Sequence, residues 1–180
     1  MRLFVAVRPP PSAVDHAAAA VDAVRPLAPG LRWVRPERWH LTLAFYGEVP
    51  DDDVDRIVDR TARRLGDGVE MALALTGAGR FGGRAVWLGV AGDVAALRSL
   101  AGAVDPGGRR YRPHLTVARV RDDTGTAAVV AALSDYAGPT WTAGAVHLVR
   151  SRLGPSPTYD DLATWPLLPL LPLLPLPPRP

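Results

Sequence analysis

Two short strings hold the residues best suited to chemistry in this chain, His40-Leu41-Thr42-Leu43 and His114-Leu115-Thr116-Val117. Each sets a histidine and a threonine two residues apart in an apolar run. In a strand, side chains alternate between faces, so His40 shares a face with Thr42, and His114 with Thr116. One string falls near the middle of each half of the chain, which predicts a pair of imidazoles brought together across a cleft. Metal-free phosphodiester cleavage needs such a pair, one ring to remove a proton and the other to supply it.

A ribose 2′,3′-cyclic phosphate is a natural target for these groups because the ring is strained and activated. Opening it takes an in-line water, a base for that water and an acid for the departing oxygen. Imidazole, with an ordinary pKa of about 6.5, populates both forms near neutrality. The threonine hydroxyls are placed to donate to non-bridging phosphate oxygens, whose charge persists through the transition state. The chemistry needs no metal or cofactor, and no H-x-H or H-E-x-x-H string suggests a zinc site.

The elements that position these strings repeat. Arg2 to Val7 reads as a strand, followed by Pro9-Pro10-Pro11 and a helix carrying Val14, Ala18, Val21 and Val24, with Ser12 and Asp15 at capping-box-like spacing. His40 to Tyr46 is the next strand. A second helix starts on Asp51, Asp52 and Asp53, buries Val54, Ile57, Val58, Ala62 and Leu65, and ends on arginines. Val69 to Leu75 closes the unit. The second half gives a strand at Ala85 to Val90 and a helix capped by Asp93 with Leu97, Leu100 and Val104. The second His-Thr strand follows at Arg112 to Val120. Asp122, Asp123 and Thr124 precede a helix with Val129, Ala132 and Leu133, then a strand at Thr140 to Val149 and an edge strand at Tyr159 to Trp165. The His-Thr pair occupies the same slot in both halves, which points to duplication. The expected organisation is one bilobal domain over residues 1–166, with lobes at 1–78 and 84–150 plus a closing strand at 158–166. Residues 167–180, a Leu/Pro-rich tail, read as a disordered appendage.

At 180 residues and 48% hydrophobic content, the chain suits a soluble globular protein. The absence of cysteine removes disulfides and thiolate chemistry. All 21 basic residues are arginine, whose planar fork matches phosphate, and the net charge is +3. The arginines are scattered, so a small anionic ligand or an RNA end fits better than a long duplex. The start reads as a strand rather than a leader, and prolines break the only strongly apolar stretch. The expectation is therefore a cytoplasmic monomer with no membrane contact.

Other conspicuous residues receive structural readings. His16 and His147 read as exposed or structural, and the Asp51–Asp53 and Asp122–Asp123 runs as helix starts. Arg119 falls, by strict alternation, on the face opposite His114 and is left outside the site unless a bulge intervenes. Phe4, Tyr46 and Trp87 read mainly as core. Gly77 to Gly83 lacks the Lys-Ser/Thr ending of a P-loop and reads as a flexible connector between halves.

The chain resembles the two-histidine phosphoesterase superfamily, and within it the RNA 2′,3′-cyclic phosphodiesterases, also called 2′-5′ RNA ligase-like proteins. The resemblance rests on both H-x-T-x strings in their settings, His40 through Gly47 and Pro113 through Arg119. It extends to Arg2 through Ala6, Val86 through Val90, and Tyr159 through Leu167. It implies an α+β fold of two lobes, here the two duplicated β-α-β-α-β units, with mostly antiparallel sheets and a central cleft across which the motifs face. It also implies hydrolysis of RNA 2′,3′-cyclic phosphate ends or small oligonucleotides to a 2′-phosphate. In that reading His40 is the proton donor, His114 the proton acceptor, and Thr42 and Thr116 contact the phosphate. The stretch between Val90 and His114 is shorter than the family leads one to expect. Rival readings are a cyclic-nucleotide or 2′-5′ oligonucleotide phosphodiesterase, and an inactive nucleotide- or RNA-binding module.

Overall fold

The apolar run Arg2–Val7 forms β1, with Leu3, Val5 and Val7 turned into the core and Phe4 and Ala6 to the other face. The computed structural model describes residues 1–105, 107–108, 110–120, 125–152, 154 and 158–169. After β1 come α1 (Pro11–Val24), β2 (Arg32–Trp33), β3 (Leu41–Glu48), α2 (Val54–Leu65), β4 (Met71–Phe81) and β5 (Ala85–Gly92). They are followed by α3 (Val94–Val104), β6 (His114–Arg119), α4 (Thr126–Ala132), β7 (Trp141–Ala143), β8 (Ala145–Arg152) and β9 (Thr158–Pro166). The fold is α+β, and its named strands pair antiparallel throughout.

Among the described residues the strands join in the order β7-β4-β5-β6-β3-β1-β8-β9, with β2 beside β6. The sheet has two halves, β3-β1-β8-β9 and β6-β5-β4-β7, which meet where Leu41 of β3 faces Leu115 of β6. Both His-Thr strands therefore lie at the seam. Each half exchanges its closing strand with the other: β4 leaves the first half to pair with β5, and β8 leaves the second to pair with β1. Two local features cause the exchange. The glycine-rich stretch read as a connector is instead the end of β4 and a tight turn through Gly82 (φ +50°), which returns the chain directly into β5. The strand expected over Thr140 to Val149 breaks at Gly144, so that β7 joins β4 while β8 joins β1.

The helices cover one face of the sheet. The buried stripe of α1 is Ala13, Ala17, Val21 and Val24, one position off the Val14 and Ala18 line expected. That helix begins at Pro11 with no side-chain cap, so Ser12 and Asp15 form no capping box. Asp93 stands at the N-cap of α3, but its carboxylate accepts from the Ala72 amide at 2.8 Å instead of capping. Leu167, placed in the tail by its proline neighbours, is buried, and Leu168 bridges Val69. Residues 170–180 and the Asp122–Asp123 run lie outside the described residues. Among the described residues no helix is long and apolar enough to cross a membrane.

Gly79 of β4 makes room for the indole of Trp87, which flanks the seam. A Cβ at position 79 would stand 2.3 Å from that ring, whereas one at Gly83 would meet nothing within 4 Å. Gly79→Ala is expected to cost about 1–3 kcal/mol in denaturant unfolding, as overpacking does, and Gly83→Ala to leave the midpoint nearly unchanged. Equal midpoints for the two variants would contradict this packing.

Candidate active site

The seam register sets Thr42 opposite His114 and Thr116 opposite His40, a near two-fold arrangement built from one strand of each sheet half. All four side chains line one cavity of about 280 Å³, together with Arg32, Trp33, Val34, Arg38, Phe81, Ala85, Arg119 and Tyr159. This volume lies at the small end of the range for ligand sites.

Each imidazole is held in the same way. The Nδ1 of His40 lies 2.7 Å from the Arg38 carbonyl, and the Nδ1 of His114 lies 2.7 Å from the Arg112 carbonyl. A carbonyl only accepts, so each Nδ1 carries a proton and donates it. The neutral ring then presents the lone pair of Nε2, ready to accept a proton. Each carbonyl lies two residues before its histidine, so backbone geometry fixes the tautomer in both halves. The rings are also packed by aromatics. Phe4 stacks on His40 at 4.6 Å and Tyr159 meets it edge-on at 5.5 Å. On the other side, Phe81 meets His114 edge-on at 4.8 Å, with Trp87 at 6.3 Å. Phe4 is buried in the core, as expected, and from there backs the His40 ring.

Burial lowers the His40 pKa to about 4, and the positive fields of Arg8, Arg119 and His114 push the same way against the opposing Arg38 carbonyl. The His114 pKa is also lowered, first by burial and then by Arg119, with the Arg112 carbonyl opposing. Both shifts favour the neutral ring in the free protein, and a nearby anion opposes them.

Arg119 belongs to the site, contrary to simple alternation. In β6, Thr116 pairs with Trp87 and Ala118 with Val86, so Val117 is the extra residue of a β-bulge. Leu115, Val117 and Ala118 are all fully buried, and the bulge returns Arg119 to the face of His114. A matching bulge at Leu43 in β3 skips one residue between the Thr42–Ala6 and Ala44–Val5 pairs. It brings Phe45 to the corresponding place, where Phe45 lines a neighbouring cavity of about 300 Å³ with Phe81, Arg110 and Arg112. Two consecutive apolar residues ahead of Arg119 and Phe45 were the sequence trace of both bulges.

Other residues flagged by type lie elsewhere. His16 pairs with the Tyr136 hydroxyl at 3.0 Å, and His147 lies between Asp161 and Thr164, each 3.2 Å from its Nδ1. The Tyr46 hydroxyl donates to the Val104 carbonyl at 3.1 Å, tying β3 to the end of α3. Asp51–Asp53 form a single 3₁₀ turn ahead of α2. Among the described residues no three His, Asp or Glu side chains gather into a metal-holding group.

The family model of the 2′-5′ RNA ligase superfamily matches residues 10–155. A protein of Methanothermobacter thermautotrophicus named RNA 2′,3′-cyclic phosphodiesterase is 30% identical, over 93% of this chain and 99% of its own length. One of the same name from Geobacillus stearothermophilus is 30% identical over 76% of this chain, which spans only 48% of that protein. Among solved structures, a Thermus thermophilus protein aligns at 27% identity and TM-score 0.70, covering 95% of this chain and 100% of its own. E. coli LigT complexed with phosphate aligns at 25% identity and TM-score 0.71, covering 93% of this chain and 97% of its own.

Proposed function

The chain belongs to the 2′-5′ RNA ligase superfamily, and we propose that it hydrolyses RNA ends bearing a 2′,3′-cyclic phosphate to a terminal 2′-phosphate, by two-histidine acid–base catalysis without a metal. The observation that carries this reading is the cavity itself, in which two Nδ1-anchored imidazoles and two threonines converge from opposite halves of the sheet.

In the proposed reaction the phosphate sits between the rings, and Thr42, Thr116 and the Arg119 guanidinium donate to its non-bridging oxygens. The Nε2 of His114 takes a proton from water as that oxygen bonds to phosphorus in line with the 3′ oxygen. The P–O3′ bond breaks, and the Nε2–H of His40 delivers its proton to that oxygen. Burial disfavours the charged His40 ring and so favours its giving up the proton, while the bound anion opposes burial and lets the ring hold that proton beforehand. Charge on the non-bridging oxygens is met by donors fixed before the reaction begins.

The competent free form has one ring protonated and one neutral. Because both pKa values are lowered below about 6.5, that form is most populated on the acid side of 6.5. The expected kcat/KM is bell-shaped with its optimum below about pH 6.5, falling as pH rises through neutrality. The bound anion favours the protonated ring, so the kcat profile is displaced to higher pH. A kcat/KM optimum above pH 7 would contradict the site electrostatics. Substrate class is tested by comparing a 2′,3′-cyclic-phosphate oligoribonucleotide with a 2′-5′-linked dinucleotide and with a 3′,5′-cyclic nucleotide. Preferred turnover of the first supports the proposal, and binding without product would instead assign a binding module.

A further inference from the structure

The positive charge at one end of the cleft exceeds what one cyclic phosphate requires. Arg32, Arg38 and Arg119 line the same cavity as the two histidines, and that lining contains no carboxylate. Among the described residues none of these three guanidinium groups has an ion-pair partner within the cavity that they share. Arg32 and Arg119 are also direct register partners in the β2–β6 ladder. Like charges set opposite each other on an antiparallel pair are destabilising unless something between them carries the opposite sign. A 2′,3′-cyclic phosphate is a diester with a single negative charge, and Arg119 with the two threonines already meets it.

We propose that Arg32, with Arg38 beside it, forms a subsite for a second phosphate of the same substrate, the one on the 5′ side of the terminal nucleoside. This rests on the cyclic-phosphate reading above and specifies it: the preferred substrate carries two phosphates one ribose apart. Arg119 stands at the junction, on the histidine face beyond the bulge and across the ladder from Arg32, so both phosphates share its field. The neighbouring cavity also carries two arginines, Arg110 and Arg112, but there Asp105 offsets part of their charge and Leu43, Ala44, Phe45 and Phe81 make much of the lining apolar, so the carboxylate-free Arg32 end is the better place for the second anion. The required chemistry is a phosphate monoester or diester, which a 5′-terminal phosphate or an internucleotide linkage supplies equally.

Calorimetric titration at low salt with adenosine 2′-phosphate and adenosine 2′,5′-bisphosphate tests this on product analogues, independently of turnover. The bisphosphate is expected to bind tighter by about tenfold or more, as an added charge-assisted contact implies. Arg32→Gln should abolish that margin while leaving adenosine 2′-phosphate affinity unchanged, and Arg32→Lys should retain part of it. The same variant should be at least as stable as the parent without ligand, since it removes a like-charge pair. In kinetics, adenosine 2′,3′-cyclic phosphate is compared with its 5′-phosphorylated form and with a dinucleotide ending in the cyclic phosphate. A KM advantage for both assigns the subsite to any phosphate, and one for the dinucleotide alone to the internucleotide linkage. Equal affinity for the two adenosine phosphates, or a loss in Arg32→Gln shared equally by both, overturns the subsite. Absence of turnover with a preserved bisphosphate margin would instead count against the hydrolytic reading alone.

Discussion

Alanine at His114 is expected to lower kcat on a 2′,3′-cyclic-phosphate RNA end by about 10²–10⁴-fold, and alanine at His40 to do the same. The two losses arise at different ends of the bond change. Without His114, no group remains to take the proton of water. Without His40, the 3′ oxygen must leave as an alkoxide. Circular dichroism should show the fold retained in both variants, because neither ring belongs to the main hydrophobic core. His40→Ala will lower the unfolding midpoint more, since His40 stacks on Phe4 and meets Tyr159. The double variant should fall little below the weaker single one, because groups that act as a unit are not additive. Near-normal turnover in either single variant would reject the paired mechanism.

Arg119→Ala is expected to reduce kcat by about 10²–10³-fold, the usual loss when one donor to a developing oxyanion is removed. A second readout separates this role from a structural one. Arg119 depresses the pKa of both histidines, so its removal lets both rise. The alkaline limb of kcat/KM should then move to higher pH in Arg119→Ala and return partly in Arg119→Lys. A drop in rate with an unmoved pH profile would mean that Arg119 acts only by holding β6 in shape.

The sequence exposed the site more fully than it exposed the fold. The His-Thr strings announced themselves because strand alternation and residue type agreed, and the cavity does contain all four side chains. Arg119 was hidden because a bulge is an exception to alternation that costs one residue and has no fixed composition. The consecutive apolar pair Val117-Ala118 was its only trace. The order of elements was legible from apolar periodicity, but their partners were not. Whether β4 closes its own half or crosses to β5 is decided by a turn at Gly82, and the crossing at Gly144 divides a run that reads as one strand. Helix starts were overread in the same way: proline at the first turn made a side-chain cap unnecessary in α1, and Asp93 spent its carboxylate on the Ala72 amide. Leu167 shows the limit of composition, since a proline-rich flank did not prevent it from reaching the core.

Incubating the protein with an oligoribonucleotide ending in a 2′,3′-cyclic phosphate, in excess EDTA, and locating the phosphate by ³¹P NMR bears most directly on the two-imidazole mechanism. The mechanism predicts complete conversion to the 2′-phosphate, at a rate the chelator does not change. An intact cyclic phosphate at high protein concentration, or activity that returns only with added metal ion, would contradict it.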